Sequence, residues 1–141
     1  MFAMSTYYAL DIMIFMSLSY GKRNVTQKEI TSFCKIPAET SKALLDKLGQ
    51  MGLIHEFHEK GFTCYSLIKP PYDIRLSEII FQLEATLFTD YIGKDREKLP
   101  GDKAQLLYQK FRPLQYMMEK KLKRCRLSEW TVMHESNLYT V

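Results

Sequence analysis

The stretch that decides the fold runs from Val25 to Leu67 and reads VTQKEITSFCKIPAETSKALLDKLGQMGLIHEFHEKGFTCYSL. Thr26 is followed three residues later by Glu29, a capping-box pattern that predicts the start of a helix. The residues Cys34-Lys35-Ile36-Pro37 are then expected to turn the chain. Pro37 suits the entry of a second helix, because its missing N–H is not needed there. A helix, a turn and a second helix are therefore expected in immediate succession.

The second helix of this pair is predicted from Ala38 to Met51, where spacings of three and four place leucines on one apolar stripe. Gly52 follows at a position suited to a left-handed C-cap. The β-prone runs Leu53–Phe57 and Thr63–Ile68 flank a turn containing glycine, which predicts a β-hairpin. Two helices and a hairpin in this order indicate a winged helix-turn-helix, whose second helix fits the major groove of DNA.

The composition limits the classes of function. With 141 residues, 46% of them hydrophobic, the chain can bury a core but is short for a two-domain enzyme. A formal charge of +4 and a pI near 8.9 are compatible with a nucleic-acid partner without requiring one. The sequence contains no P-loop, dinucleotide-binding glycine motif, nucleophile elbow or zinc-binding cysteine pair, so we do not expect an enzyme.

Cysteine usage and hydropathy predict where the protein works. Its three cysteines, Cys34, Cys64 and Cys125, are far apart in the sequence, which favours a reduced cytoplasmic setting. The apolar run Ala9–Leu18 is about half of the roughly twenty residues that a membrane span needs. No membrane partner is expected.

The segments outside the helix-turn-helix are predicted to be helical. A helix over Thr6–Tyr20 is apolar nearly all round, so we expect the helix-turn-helix to cover one face and a second subunit the other. After the stiff break Lys69-Pro70-Pro71, helical spacing resumes over Ile74–Glu84. Residues 86–102 are read as a polar connector.

The last long helix is predicted over Asp102–Arg124 and carries a near-heptad apolar stripe that suits packing against a twofold mate. Pro113 lies inside the pattern and is expected to kink or restart the helix. The fold class is thus mostly α with a small β-hairpin wing. Residues 1–72 form a predicted winged helix-turn-helix DNA-binding domain, and residues 73–141 a helical dimerisation region with a C-terminal tail. The predicted homodimer contacts are Leu107, Phe111, Leu114, Met118 and Leu122.

These elements, in this order, resemble the Rrf2 family of bacterial winged-helix transcription regulators over nearly the whole chain. The resemblance implies a dimer that represses or activates promoters. It rests on Tyr8-Ala9-Leu10, Val25–Ile30, Leu44–Leu53 with Gly52, Tyr65-Ser66-Leu67 before Pro70, Ile74–Ile80 with Leu83-Glu84, and Arg126–Trp130.

The sequence departs from this family at two places. Several members sense redox or nitric oxide through a cluster held by three cysteines in the loop before the long helix. Residues 86–102 of this chain contain no cysteine and no histidine, so the resemblance is to a cluster-free branch, and no cofactor is expected. The wing carries Glu56 and Glu59 instead of the family's arginine and several glycines. This leaves Lys60 as the expected wing donor to a narrow, electronegative groove.

The predicted DNA contacts centre on the N-terminal end of the second helix, where base edges are usually met. Thr40 and Lys42 together are the main candidates. Two further features are left open. Cys34 or Cys64 is either a redox switch or an inert buried thiol. The basic run Lys120–Arg126 is a phosphate patch, a partner-docking surface or simple helix-dipole compensation. The full predicted DNA-binding set is Thr26, Gln27, Thr40, Ser41, Lys42, Lys47 and Lys60.

The function expected from the sequence is a cytoplasmic homodimer that binds double-stranded DNA at a pseudo-palindromic operator, chiefly as a repressor. One alternative is a winged-helix module that no longer binds DNA and serves protein interaction. The atypical wing, the weak basic charge and the acidic Glu39, Glu56 and Glu59 favour it. Another dimeric winged-helix group is a second alternative. The operator, the target genes, any small-molecule or protein effector, and the choice between repression and activation stay open.

Overall fold

The computed structural model describes residues 2–84 and 101–131, without the side chains of residues 101–105, 107, 108 and 111. It is mostly helical with a small antiparallel sheet, as predicted. None of the helices in these two ranges combines the length and hydropathy needed to cross a bilayer. In chain order the elements are α1 (Met4–Ser19), β1 (Val25–Thr26), α2 (Gln27–Cys34), α3 (Ala38–Gln50), β2 (Ile54–Glu59), β3 (Phe62–Leu67), a 3-10 turn (Pro71–Asp73), α4 (Leu76–Leu83) and α5 (Gly101–Arg124).

The helix-turn-helix forms where the local sequence signals predict it. Thr26 is the N-cap of α2, and its hydroxyl accepts the backbone N–H of Glu29 at 3.2 Å. The Glu29 carboxylate accepts the backbone N–H of Thr26 at 3.3 Å in return, which completes the capping box. Lys35 then turns the chain with a positive φ of 54°, and Pro37 caps α3. The predicted capping box and turn are confirmed.

The wing is a hairpin whose strands reach closer to the tip than predicted. Strand β2 pairs antiparallel with β3, from Ile54 opposite Leu67 to Glu59 opposite Phe62. Lys60 and Gly61 both have positive φ, 52° and 80°, which is the geometry of a two-residue type I′ turn.

A third strand, which the sequence analysis did not predict, joins the other edge of β3. Strand β1 places Val25 opposite Tyr65 and Thr26 opposite Cys64, giving the sheet order β1-β3-β2. Because β1 runs directly into the cap of α2, the wing is attached to the start of the helix-turn-helix. This attachment fixes the position of the hairpin relative to α2.

Helix α1 is the centre of the core and is largely covered within the protomer. Its Ala9, Ile12 and Met13 are fully buried, and it packs against α2, α3 and α4. Helix α4 covers part of the other face, and coverage of the remainder by a second subunit stays a prediction. One stripe of α1 stays exposed, and it includes Met4, which is 61% exposed, and Tyr7, which is 45% exposed.

The C-terminal helix is tied back to the core at its end. Helix α5 runs through Pro113 without restarting. Beyond it, the N–H of Leu127 donates to the Ile74 carbonyl at 2.8 Å, and the N–H of Leu76 donates to the Cys125 carbonyl at 2.9 Å. One hydrophobic cluster thus includes residues on both sides of the predicted boundary at residue 72. The predicted connector lies outside the described residues up to residue 100.

Candidate nucleic-acid interface

Helix α3 has one buried and one open face. The buried side carries Leu44, Leu45 and Leu48, as its apolar spacing predicted. Lys42, Asp46 and Lys47 lie exposed on the other side, and Thr40 is partly exposed near the N-terminus. The capped α2 and the wing flank this open surface.

Lys42 lies between α3 and the wing and is held there by carboxylates. Its Nζ is 3.1 Å from Oδ1 of Asp46, one turn further along the helix, and 4.0 Å from Oε1 of Glu56 on β2. The hydrogen bond to Asp46 is the main cause that raises the pKa of Lys42. All three side chains are about half exposed, between 45% and 50%. The cation is therefore accessible but partly neutralised within the protomer.

Two other predicted cations lie at the edges of this surface. Lys47 is exposed on α3, and Lys60 is exposed at the tip of the hairpin. Neither makes an ion pair with any residue that the structure describes. Both ammonium groups are consequently available to an external anion.

The polar residues at the junction of α2 and α3 serve packing. Ser41 is 0% exposed, its hydroxyl donates to the Ala38 carbonyl at 3.1 Å, and it lies 3.0 Å from the Thr31 hydroxyl. The prediction that Ser41 contacts DNA is therefore replaced by a role in joining the two helices. Gln27 donates from Nε2 to the same Ala38 carbonyl at 3.1 Å, and the Thr26 hydroxyl is engaged in the cap.

The first turn of α3 has no side-chain cap, a feature that the sequence analysis missed. Its N-cap, Pro37, makes no side-chain capping hydrogen bond. The first N–H groups of a helix lack intrahelical partners, and the helix dipole favours an anion beside them. A groove next to this end is lined by Gln27, Lys28, Thr31, Ser32 and Ala38. Lys28 is exposed there and brings a cation that was not among the predicted contacts.

The predicted dimerisation stripe is divided between two environments. Leu114 is 59% exposed, whereas Leu122 packs partly against the core of its own protomer and Met118 is intermediate. The side chains of Leu107 and Phe111 lie outside the described residues. Other large apolar side chains on α5 are also exposed: Leu106 at 52%, Tyr116 at 61% and Met117 at 66%.

Comparison with protein families identifies this architecture. A model for Rrf2, described as an iron-dependent transcriptional regulator, matches residues 3–131. The chain belongs to the Rrf2 family of transcriptional regulators. Comparison with curated proteins gave no significant match.

Solved structures of Rrf2-type regulators share the fold. CymR of B. subtilis, described as the global cysteine regulator, superposes with a TM-score of 0.71 at 18% identity, covering 94% of this chain and 97% of that one. CymR of Staphylococcus aureus gives 0.68 at 21% identity over 92% and 96%. IscR of T. potens gives 0.72 at 18% identity over 100% and 91%.

The family description names iron, so the donor set of this chain has to be compared with what iron requires. Cys34 lies in α2, Cys64 in β3 and Cys125 beyond α5. Burial, reinforced by Asp11, raises the pKa of the Cys34 thiol to about 12, which disfavours the thiolate that binds metal. No three His, Cys, Asp or Glu side chains converge in residues 2–84 and 101–131. These residues do not fit an iron–sulfur cluster.

Proposed function

We propose that this Rrf2 protein is a cytoplasmic, cluster-free, homodimeric DNA-binding regulator that acts chiefly by occluding a promoter. The observation that carries the proposal is the open face of α3, which presents Lys42 in the first half of the helix and Lys47 in its last turn, together with a helix start that has no side-chain cap. A helix with such a face fits the major groove. No enzymatic step is part of the proposal, and the cytoplasm is its setting because a regulator works where the chromosome lies.

The proposed contacts divide into two classes. Lys28, Lys47 and Lys60 are exposed cations suited to phosphates, and the first turn of α3 offers N–H groups to another phosphate. Thr40 and Lys42 lie in the N-terminal half of α3 and are proposed to contact base edges. For Lys42 this requires leaving the carboxylates that hold it in the free protein.

Homodimerisation through α5 is proposed from its exposed apolar side chains. Leu106, Leu114 and Met117 are each more than half exposed. Contiguous apolar surface on a soluble protein commonly marks an interaction site. A twofold dimer would place two α3 helices in successive major grooves about 34 Å apart, which matches a pseudo-palindromic operator.

Fluorescence anisotropy with labelled genomic and random duplexes tests DNA binding. Wild-type protein is expected to bind a fraction of the genomic duplexes tightly, with affinity falling steeply as salt rises. The variant Lys47→Ala should lower the salt slope by about 0.9, the value for one phosphate contact. Lys110→Ala removes the same charge from an exposed site on α5, outside the basic run Lys120–Arg126, and serves as the control. An unchanged slope in Lys47→Ala would remove this residue from the interface.

The alternative is a winged-helix module that binds protein partners and no longer binds DNA. The observation that favours it is the neutralisation of Lys42 by Asp46 and Glu56, together with Glu59 near the wing tip. This alternative predicts no tight fraction with any duplex at low salt. The same anisotropy experiment therefore separates the two functions.

A further inference from the structure

Two arginines lie side by side where the chain returns from α5 to the core. Arg75 and Arg126 form an isolated antiparallel bridge. Backbone hydrogen bonds of 2.8 and 2.9 Å flank this arginine pair on either side. In a bridge of this kind, whose own residues do not bond to each other, the two Cα atoms are about 4.5 Å apart and the two side chains lie on the same face.

The face that carries the arginine pair is the one turned to solvent. Ile74, Leu76 and Leu127, which are the neighbours of the two arginines in sequence, are each 0% exposed. Successive side chains of an extended segment point to opposite faces, and Arg75 and Arg126 are accordingly exposed. Neither arginine forms an ion pair within residues 2–84 and 101–131. The bridge therefore holds two unpaired cations next to each other.

The stability of the fold does not require this arrangement. Like charges directly opposite each other on paired strands are destabilising. Arg75 is the N-cap of α4, and Arg126 directly precedes a helical turn that starts at Leu127. A helix dipole favours cations at the C-terminal end of a helix and disfavours them at its start. The dipole thus accounts for the lysines in the last turn of α5, but it does not account for the arginine pair.

Two carboxylates lie close to the arginine pair in sequence. Glu78 is already engaged, because its Oε1 is 2.7 Å from Nζ of Lys69 and its Oε2 accepts the backbone N–H of Arg75 at 2.7 Å. Glu129 follows Arg126 by three residues, is exposed, and makes no ion pair with a cation that the structure describes. Neither carboxylate therefore takes the place of an external anion between the two guanidinium groups.

The chemistry of guanidinium groups indicates the class of anion. Each group offers parallel N–H donors that match the oxygens of a phosphate or a carboxylate. A phosphate monoester carries a charge of about −1.5 to −2 at pH 7 and three acceptor oxygens, so it can serve two guanidinium groups at once. A carboxylate has only one charge and two oxygens. Lys123 and Arg124, both exposed at the end of α5, add to the positive charge beside the pair.

The arginine pair is separate from the open face of α3. Helix α3 packs against α1, α1 packs against α4, and α4 packs against α5. Two helices thus lie between α3 and the helix that leads into Arg126. A duplex bound at α3 is therefore not the expected source of the phosphate.

We propose that Arg75 and Arg126 together bind the phosphate group of a small phosphate monoester or of inorganic phosphate. Both guanidinium groups donate to the phosphate oxygens, and the negative charge removes the repulsion between the two cations. Because Arg75 precedes α4 and Arg126 follows α5, the bound phosphate also links the end of α5 to the core. The proposal does not depend on DNA binding, so this test and the duplex titration can fail separately.

Two-dimensional NMR of the full chain measures binding, with inorganic phosphate, glycerol 3-phosphate and dimethyl phosphate as probes at constant ionic strength. The first two probes should give saturable shifts at the side-chain Nε–H groups of Arg75 and Arg126. Their relative affinities show whether the site recognises the phosphate alone or also its ester group. Dimethyl phosphate has one charge and two free oxygens, and it should bind about tenfold more weakly.

Substitutions separate a specific site from a general effect of charge. Arg126→Gln should weaken phosphate binding about tenfold, and Arg126→Lys, which keeps the charge but lacks the planar fork, about threefold. Arg112→Gln removes the same charge from an exposed site elsewhere on α5 and should leave the affinity unchanged. Glu129→Gln removes a carboxylate that repels the anion and should tighten binding.

Urea denaturation in chloride provides a second, independent measurement. Arg126→Gln removes the repulsion from Arg75, so without phosphate this variant should be at least as stable as the wild type. A less stable variant would show that the arginine pair serves the fold, and it would overturn the proposal. The proposal is also overturned by an absence of saturable shifts at millimolar phosphate, by shifts at the first turn of α3 instead, by equal binding of dimethyl phosphate, or by equal losses of affinity in Arg112→Gln and Arg126→Gln.

Discussion

Removing the charge of Glu56 should strengthen DNA binding. Its Oε1 lies 4.0 Å from Nζ of Lys42, so a carboxylate competes with DNA for the cation. Two unit charges at this distance attract by about 1 kcal/mol in bulk water. Exposed ion pairs contribute about 0.2–1 kcal/mol once solvent and salt are included. Both side chains are 45% exposed, so Glu56→Gln should tighten binding by up to about fivefold.

Anisotropy titrations of one operator duplex at fixed salt measure this change. Glu129→Gln changes the charge equally at an exposed site beyond α5 and should leave the affinity unaltered. Loss of repulsion between Glu56 and nearby phosphates acts in the same direction, and salt weakens it over a Debye length of about 8 Å. Unchanged or weaker binding by Glu56→Gln would refute the idea that Lys42 leaves this carboxylate to contact DNA.

Three further predictions concern stability, thiol reactivity and assembly. Burial alone would raise the pKa of Glu78, but hydrogen bonds from the Arg75 backbone and from Lys69 outweigh it and hold this pKa below 4.5. The Glu78 carboxylate therefore stabilises the fold above that pH. Its contribution to the free energy of unfolding is lost as the pH falls through the folded-state pKa. Urea denaturation should show Glu78→Gln less stable than the wild type at pH 7 and nearly equal to it in acid; a gap that persists in acid would contradict this. With a pKa raised to about 12, the Cys34 thiol should react with iodoacetamide at neutral pH more slowly than free cysteine, because its smaller thiolate fraction outweighs the greater nucleophilicity of that thiolate. Mass spectrometry follows the reaction, and rapid alkylation would show that the thiol is not held protonated. Leu114→Asp should shift the protein from dimer to monomer in analytical ultracentrifugation because it charges an exposed apolar site, whereas Lys120→Glu should not; a dimer that survives Leu114→Asp would place the interface elsewhere.

Features encoded by neighbouring residues were predictable from the sequence. The capping box of Thr26 and Glu29 depends on a spacing of three residues, and the buried leucines of α3 on spacings of three and four. The same spacing connects Ser41 to Leu44, so it could have shown that Ser41 faces inward. Its position near the helix N-terminus favours a DNA contact instead, and the structure shows that packing against α2 decides where the side chain lies.

Features that depend on pairing between distant segments were not predictable. Strand β1 has two residues, too few for an alternating pattern, and exists because β3 offers it an edge. The register that places Glu56 opposite Tyr65 also brings Glu56 within 4.0 Å of Lys42, and no local signal specifies it. The apolar stripe of α5 indicates that its side chains are to be covered, but it does not say by which chain. In the structure the core of the same protomer partly covers Leu122.

Hydroxyl-radical footprinting of a tightly bound genomic duplex tests the central claim most directly, because it locates both copies of α3 on the DNA at once. Two protected segments about one helical turn apart are predicted, related by the twofold symmetry of the site. Lys42→Ala should weaken protection in both segments equally. A single protected segment, or no protection at protein concentrations that saturate anisotropy, would contradict a dimer that reads successive major grooves.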